Sequence, residues 1–458
     1  MKAQSSGRRG IRMRIDSFMY DKYYLSIESS KDNSFPRMNI LHLTDYHFST
    51  KQSDQYRQSK IVDALINDIV ERGHKPDIIF FTGDLVDNGN NIENFHKAKF
   101  ELIDKLLSKL NLSIDNFFIC PGNHDINREK ISLATFEYID KIQNNSKLDT
   151  FATISSFDYK NSLEPLSNYF EFTDSIFNNS NNDFLYEKGF SCHIRKFHNL
   201  NIGIMCANTS WRALGKLDTS TGTKYDQGNL LMPLKFISTG LKYIDKCDFK
   251  ILLHHHPMSD FKGFNKYELE DIIHNNFNIS FSGHVHKDSA SAFYTNNSGI
   301  LQLEAAATLA EADGSTIGYT FINVNLDDSI AQCLSRYYDI RREFLYDNGV
   351  KNIPIPISQA KQEQNRFRKK LRQRFDIELE EANDLFLHGK IERGIKGFND
   401  LWTAPVLSKK SSEEVRRADF ASHSFDFNNL INDSHDYLIL GKDKCGKTSL
   451  LRACLGIR

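Results

Sequence analysis

The chain carries almost no net charge: 58 Lys and Arg face 59 Asp and Glu in 458 residues, a formal charge of −1. No global field therefore draws it to nucleic acid or to an anionic membrane, and any such attraction has to be local. Its seven cysteines show no C-x-x-C spacing, and several sit in apolar runs such as NFFIC and IGIMCA, the pattern of buried free thiols in a reducing compartment. No apolar stretch approaches the length of a membrane span, and the N-terminus has charge without an apolar h-region. A cytoplasmic protein with no membrane partner is expected. There is no internal repeat.

What is present is enough apolar residue content, 40 % of the chain, for two or even three cores. Two basic stretches, 1–14 and KQEQNRFRKKLRQR (361–374), read as a solvated arm and a solvated helix face. Strand-like runs alternate with helical ones: MNILHL (38–43), a periodic helix over 56–72, DIIFF (77–81), a helix over 91–110, then NFFIC (116–120). That β-α-β-α-β order predicts neighbouring parallel strands. Further strands are expected at 200–208, 249–254, 278–283, 299–304 and 318–324, too many for one small sheet, so an α/β fold with two packed sheets is predicted. An Asn-, Ser- and Phe-rich insertion over roughly 126–190 reads as a cap or a decorated edge. After Pro354 and Pro356 the spacing predicts a helix from Ser358 to Gly389. The domain reading is a basic arm and first strand region (1–37), a catalytic domain (38–350), a helical linker (351–430) and a C-terminal piece (431–458).

Chemistry collects at the strand ends. Five of them run into loops rich in metal-ligand side chains: TDYHF (44–48), GDLVD (83–87), PGNHD (121–125), HHHP (254–257) and GHVH (283–286). In a parallel α/β sheet the carboxyl ends of strands face one crevice, so loops far apart in sequence can converge. Asp45 to Asp84 and Asp84 to Asn123 are each 39 residues, one β-α unit.

These motifs resemble the calcineurin-like metallophosphoesterase family, whose pattern D-x-H, G-D-x-x-D, G-N-H-[DE], H-x-P, G-H-x-H is met in order. The resemblance covers roughly residues 38–330. It implies a four-layer α-β-β-α sandwich with two mixed sheets, a binuclear centre of divalent ions (Mn, Fe or Zn) and hydrolysis of phosphoric esters. It gives one ion to Asp45, His47 and His286, the other to Asn123, His255 and His284, and makes Asp84 the bridge. The His of G-N-H-[DE], His124, is implied to stabilise or protonate the departing oxygen, with Asp125 orienting its ring. Of the HHHP histidines only His255 matches the family ligand; His256 is a candidate for touching substrate and His254 for a structural role. Asp87 reads as a loop-bracing acid. Trp211, Arg212 and Asp226 lie where the family often contacts substrate, with packing an equal reading. Phosphoprotein phosphatases carry Arg directly after the second Asp of G-D-x-x-D; this chain has Asn88, which favours diesters over phosphoproteins. The implied substrate is a phosphodiester: a cyclic nucleotide, DNA or RNA.

The chain closes on LILGKDKCGKTSLLRACLGIR, where Gly441, Gly446, Lys447 and Thr448 have the spacing of a phosphate-cradling loop between a strand-like and a helix-like run. Only ten residues follow Thr448. The expectation is the truncated strand and helix of a P-loop signalling NTPase, with the phosphoesterase as its N-terminal effector, as in bacterial immune proteins. ATP or GTP would bind only in a longer protein, whose C-terminal module offers a route to homo-oligomers. Three alternatives stay open: an NTP-driven switch in which the metal domain has a supporting role, a phosphomonoesterase, and a metal-stabilised scaffold without turnover.

Overall fold

Alternation along the strands decides which side chains meet. In Arg37–Leu43 (β1), Met38 and Ile40 point one way and Leu41 and Leu43 the other; Ile78–Phe81 (β2) and Phe117–Ile119 (β3) repeat the pattern. Both faces are apolar, as strands covered on both sides require. The computed structural model describes residues 37–357 except 154–155, 178–182, 198–199, 216–224, 296–297, 310–315 and 327, together with residue 363 and short strand pieces at Ile11–Arg12, Leu407–Lys409, His423–Phe425 and Leu438–Ile439.

Two mixed sheets face each other. The first has six strands in the order β13-β12-β11-β1-β2-β3, where β11, β12 and β13 are Gly318–Asn325, Ile330–Asp339 and Phe344–Pro354. Strands β1, β2 and β3 are parallel, and β11 joins β1 antiparallel. The second sheet has seven strands, built on the parallel run Leu200–Ala207 (β6), Phe249–Leu253 (β7), Ile279–Ser282 (β8) and Gly299–Glu304 (β10). Ser289–Tyr294 (β9) closes one edge; Phe190–Phe197 (β5) and Asp183–Glu187 (β4) close the other, all antiparallel. Between the sheets, Ile40, Phe80, Ile251 and Phe281 are fully buried in one cluster, each contributing about 1.5–3 kcal/mol of burial. The outer faces are covered by helices, among them Gln52–Glu71 (α1), which sends Ile61, Leu65 and Ile69 inward.

Five strands were not legible in the sequence: β4, β5, β9, β12 and β13. Several expose one or both faces, as β9 does along its whole length, so they lack a continuous apolar run. The insertion is shorter than expected, because 183–187 and 190–197 belong to the second sheet. Its remaining part folds into helices Leu133–Asp140, Asn145–Phe151, Phe157–Leu163 and Ser167–Phe177. Strand β13 crosses position 350, and the compact unit runs over Phe35–Asn365.

Residues Met1–Ser34 and Arg366–Arg458 form a separate unit. In it Leu407–Lys409 pairs antiparallel with His423–Phe425, so that part of the expected helical linker is strand, and Ile11–Arg12 pairs with Leu438–Ile439. Apart from residue 363, the expected helix at 358–389 lies outside the described residues, as do Gly441, Gly446, Lys447 and Thr448.

Candidate metal centre

Every motif loop begins where a parallel strand ends. Strands β1, β2 and β3 of the first sheet deliver Asp45 with His47, Asp84, and Asn123 with His124; β7 and β8 of the second deliver His255, and His284 with His286. The site thus spans the carboxyl edges of two sheets, where the strand-end reading allowed for one. Main-chain bonds tie the loops together: Asp45 N–H donates to the Gly83 carbonyl (2.9 Å), Gly283 N–H to that of His255 (3.2 Å), and His284 N–H to Asp45 Oδ2 (3.0 Å).

The motif glycines follow from this crowding. Gly83 has φ +94°, and a Cβ there would lie 2.5 Å from His255 Nδ1. A Cβ on Gly122 would run into the Asp84 carboxylate, and one on Gly283 into Thr44 Oγ1 and Asp45. The ligand loops themselves are bent unusually: Asp45, His47, Asp84, His284 and His286 all have positive φ, between 47° and 70°. Left-handed backbone at a non-glycine residue costs on the order of 1–3 kcal/mol and clusters at functional sites.

The expected ligands fall into two groups. One ring nitrogen each of His47 and His286 and a carboxylate oxygen of Asp45 lie within 4.8 Å of one another, with His47 Nε2 3.3 Å from His286 Nε2. In the second group, Asn123 Oδ1 is 3.1 Å from His255 Nε2 and 3.0 Å from His284 Nδ1. Asp84 lies between them, its Oδ2 3.2 Å from His255 Nε2 and 3.9 Å from His47 Nε2. Asp45, Asp84 and His255 are almost wholly shielded from solvent.

This donor set fits two divalent ions. Nitrogen and oxygen donors without thiolate suit Mn, Fe or Zn, and a shared carboxylate offsets the repulsion of two nearby cations. The electrostatics agree. Burial would lower the His255 imidazole, yet the charges of Asp84 and Asp45 raise it to about 9, so the pocket draws positive charge. Burial would raise the Asp84 carboxyl, but His255, His124 and His47 hold it well below the usual carboxylate range.

Around the ligands stand groups that hold them. The Thr82 carbonyl accepts from His255 Nδ1–H (2.7 Å), leaving Nε2 to face the centre, and Asp260 Oδ2 lies 3.6 Å from His284 Nε2. Thr82 could not be found from sequence, since its contact is made by a backbone carbonyl.

The expectation that Asp125 orients His124 is overturned. The buried Asp125 carboxylate accepts the backbone N–H groups of Asp84 (3.0 Å), Gly122 (2.8 Å) and Val86 (3.1 Å), pinning two ligand loops to each other. The ring of His124 is turned instead by Asp87, whose carbonyl accepts from Nδ1–H (3.0 Å) and whose Oδ1 is 3.6 Å away. Burial would lower the His124 imidazole, but Asp84 and then Asp87 outweigh it and raise its pKa to about 9. Its side chain is 31 % exposed, against 2 % for Asp84, which puts it at the mouth.

The other candidates make contacts of their own, and His256 also offers a ring nitrogen to a group with His255 and His284 within 4.8 Å. His256 is fully buried with Nδ1 3.1 Å from Thr209 Oγ1, and His254 Nδ1 bonds the His256 carbonyl (2.8 Å). Trp211 donates from Nε1 to the Leu231 carbonyl (2.6 Å), and Arg212 pairs with Asp140 (2.6 Å) and stacks on Phe136. Asp226 accepts the N–H groups of Leu214 and Gly215. Among the described residues no helix is long and apolar enough to cross a membrane.

Comparison with known proteins agrees with the donor geometry. A "Probable glycerophosphodiester phosphodiesterase GpdQ" of Arcobacter nitrofigilis is 32 % identical over 114 residues, 24 % of this chain and 38 % of that protein. An "Uncharacterized metallophosphoesterase-like protein YydB" of Bacillus subtilis is 22 % identical over 326 residues, 68 % of this chain and 61 % of that one. The chain thus spans less than two thirds of either relative. Among solved structures, a purple acid phosphatase from yellow lupin seeds aligns over 71 % of this chain and 54 % of its own, with 13 % identity and a TM-score of 0.37. The family model for calcineurin-like phosphoesterases matches residues 38–288, more than half of the chain. Residues 38–288 are a calcineurin-like, metal-dependent phosphoesterase domain, and the chain belongs to that family.

Proposed function

We propose that the chain is a two-metal phosphodiesterase acting on nucleotides or nucleic acid. The observation that carries this reading is the position of Asp84, one carboxylate facing two separate donor groups. Asp45, His47 and His286 would hold one ion, Asn123, His255 and His284 the other, and Asp84 both. Two divalent ions supply Lewis acidity toward the phosphoryl oxygens and lower the pKa of water toward neutrality.

The chain's own residues do the rest. Asp125 fixes the backbone at Gly122, Asp84 and Val86, so that the bridging carboxylate is held before substrate arrives. The His124 Nδ1–H is committed to the Asp87 carbonyl, which leaves Nε2 for substrate. Protonated at neutral pH, that nitrogen gives its proton to the departing oxygen. A preference for diesters is supported by Asn88, where a monoester clamp would place Arg, and by the likeness to the Arcobacter relative, which is named a probable glycerophosphodiester phosphodiesterase.

Hydrolysis by the full chain with Mn²⁺ tests the reading, using bis(4-nitrophenyl) phosphate, 4-nitrophenyl phosphate, cyclic nucleotides, DNA and RNA. Faster turnover of diesters than of monoesters is expected; the reverse order would make it a phosphomonoesterase. The C-terminal motif adds a second element to the proposal: nucleotide bound at Gly441, Gly446, Lys447 and Thr448 regulates the phosphoesterase as its effector. Support comes from the strand Leu438–Ile439 directly before the loop, as such loops require. In a longer protein that carries the complete nucleotide-binding module, Lys447→Ala should abolish the response of diester hydrolysis to ATP or GTP, while in the 458-residue chain it should leave hydrolysis unchanged; a response that persists in the longer variant would refute it.

A further inference from the structure

Of the histidines in HHHP the family pattern makes only His255 a ligand, and consecutive residues of a strand point to opposite faces. Strand β7 ends at Leu253, and the chain then bends at His255 and His256, so alternation no longer separates the two rings. Their centroids lie 4.8 Å apart, and the His256 ring is 4.7 Å from that of His284. One ring nitrogen each of His255, His256 and His284 falls within 4.8 Å of the other two. With Zn–N bonds of about 2.0–2.1 Å, nitrogens around one ion stand up to about 4 Å apart, so this group needs little adjustment to close on one.

The two nitrogens of His256 differ. Nδ1 is 3.1 Å from Thr209 Oγ1, whereas Nε2 is buried and has no hydrogen-bond partner among the described residues. A buried polar atom left unpaired costs about 1–3 kcal/mol and calls for an explanation. An ion that takes the Nε2 lone pair supplies one. Such an ion requires the proton on Nδ1, where Thr209 Oγ1 is placed to accept it, the way ligating histidines are usually held. The main-chain N–H groups of His255 and His256 make longer bonds to the same oxygen, 3.3 Å each, which hold the bend. His256 is as closed to solvent as His255, but the His284 side chain is 13 % exposed, so an ion has a way into the group.

We propose that His256 Nε2 is a further ligand of the second ion, beside Asn123, His255 and His284. The inference rests on the two-metal reading and deepens it: three imidazoles make this the nitrogen-rich position, suited to Zn or Fe, while the Asp45 carboxylate keeps its neighbour suited to Mn.

The test titrates Co²⁺ and Zn²⁺ into the chelator-treated full chain, followed by visible absorption and calorimetry. The parent should take up two ions. In His256→Leu one of them should bind at least tenfold more weakly, with its Co²⁺ bands shifted, and the other should be unaltered. Paramagnetic Co²⁺ also displaces the N–H proton resonance of every imidazole that ligates it. The Nδ1–H of His256, shielded at Thr209, should give one such resonance in the parent that the variant lacks, a signature that a merely structural histidine would not produce. Unaltered affinity for both ions, or an unchanged set of displaced resonances, would overturn the proposal. Should His256→Leu fail to fold, His256→Gln decides by the same resonance. A parent that binds one ion would refute the two-metal reading, while the effect of His256→Leu on that ion still decides on His256; a parent that binds none would refute both.

Discussion

Replacing Asp84 by Asn removes one charge and one ligand oxygen from between the two donor groups. The structure dictates how the amide settles. Asp84 Oδ1 accepts from His124 N–H at 2.7 Å, so the amide oxygen has to take that place and the NH₂ falls where Oδ2 stood. There it faces His255 Nε2, 3.2 Å from the original oxygen, a lone pair left open because Nδ1–H is bonded to the Thr82 carbonyl. The amide therefore donates to the very nitrogen that an ion would need. The metal-free variant is well satisfied and should unfold no earlier than the metal-free parent. With the shared carboxylate gone the ions lose the ligand that holds them together, and the rate should fall by on the order of 10²–10⁴, about 3–5 kcal/mol of barrier at about 1.4 kcal/mol per decade. Metal content should drop from two ions toward one or none per chain. Plasma mass spectrometry of the desalted protein, beside hydrolysis of bis(4-nitrophenyl) phosphate, measures both. Two tightly held ions with full activity would refute the two-metal reasoning.

His124→Ala should keep both ions yet lose about 10²–10⁴ in rate for alkoxide leaving groups, and much less for activated aryl esters that need no proton; loss of an ion in this variant would show that His124 is a ligand. Gly122→Ala should push a methyl group into the Asp84 carboxylate, costing about 1–3 kcal/mol of stability and most of the activity, as thermal unfolding and turnover would record. His193 is buried among Phe118, Phe177 and Phe184, and burial lowers its pKa from 6.5 to about 3. Between those values the unfolded chain binds a proton that the folded one refuses, so stability is complete above pH 6.5 and declines as pH falls, by about 2 kcal/mol at pH 5 from this residue. Urea titrations of the parent and His193→Phe at pH 7 and 5 should show a smaller acid loss in the variant; identical losses would rule out His193 as a source.

The sequence determined by itself which residues could hold metal and which runs of chain would carry them. A five-motif pattern is local: each ligand stands within a few residues of an apolar run, and such runs announce strands. Asp45, Asp84 and Asn123 at intervals of 39 residues could be read as successive β-α units, and the structure keeps them on adjacent parallel strands. The edge strands escaped notice because one-sided burial leaves only a faint alternating signal, and β9 has none. Tertiary structure decided what depends on approach between distant segments. It placed two of the five loops on the opposite sheet, so that His255 and His284 reach Asn123 across the sandwich. It also exchanged the roles of two acids in neighbouring motifs: Asp125, completely buried, can serve only backbone N–H groups, whereas Asp87 at the mouth meets the His124 ring. Sequence spacing specifies side-chain chemistry, but burial and backbone direction, which no single segment contains, settle which partner each group finds.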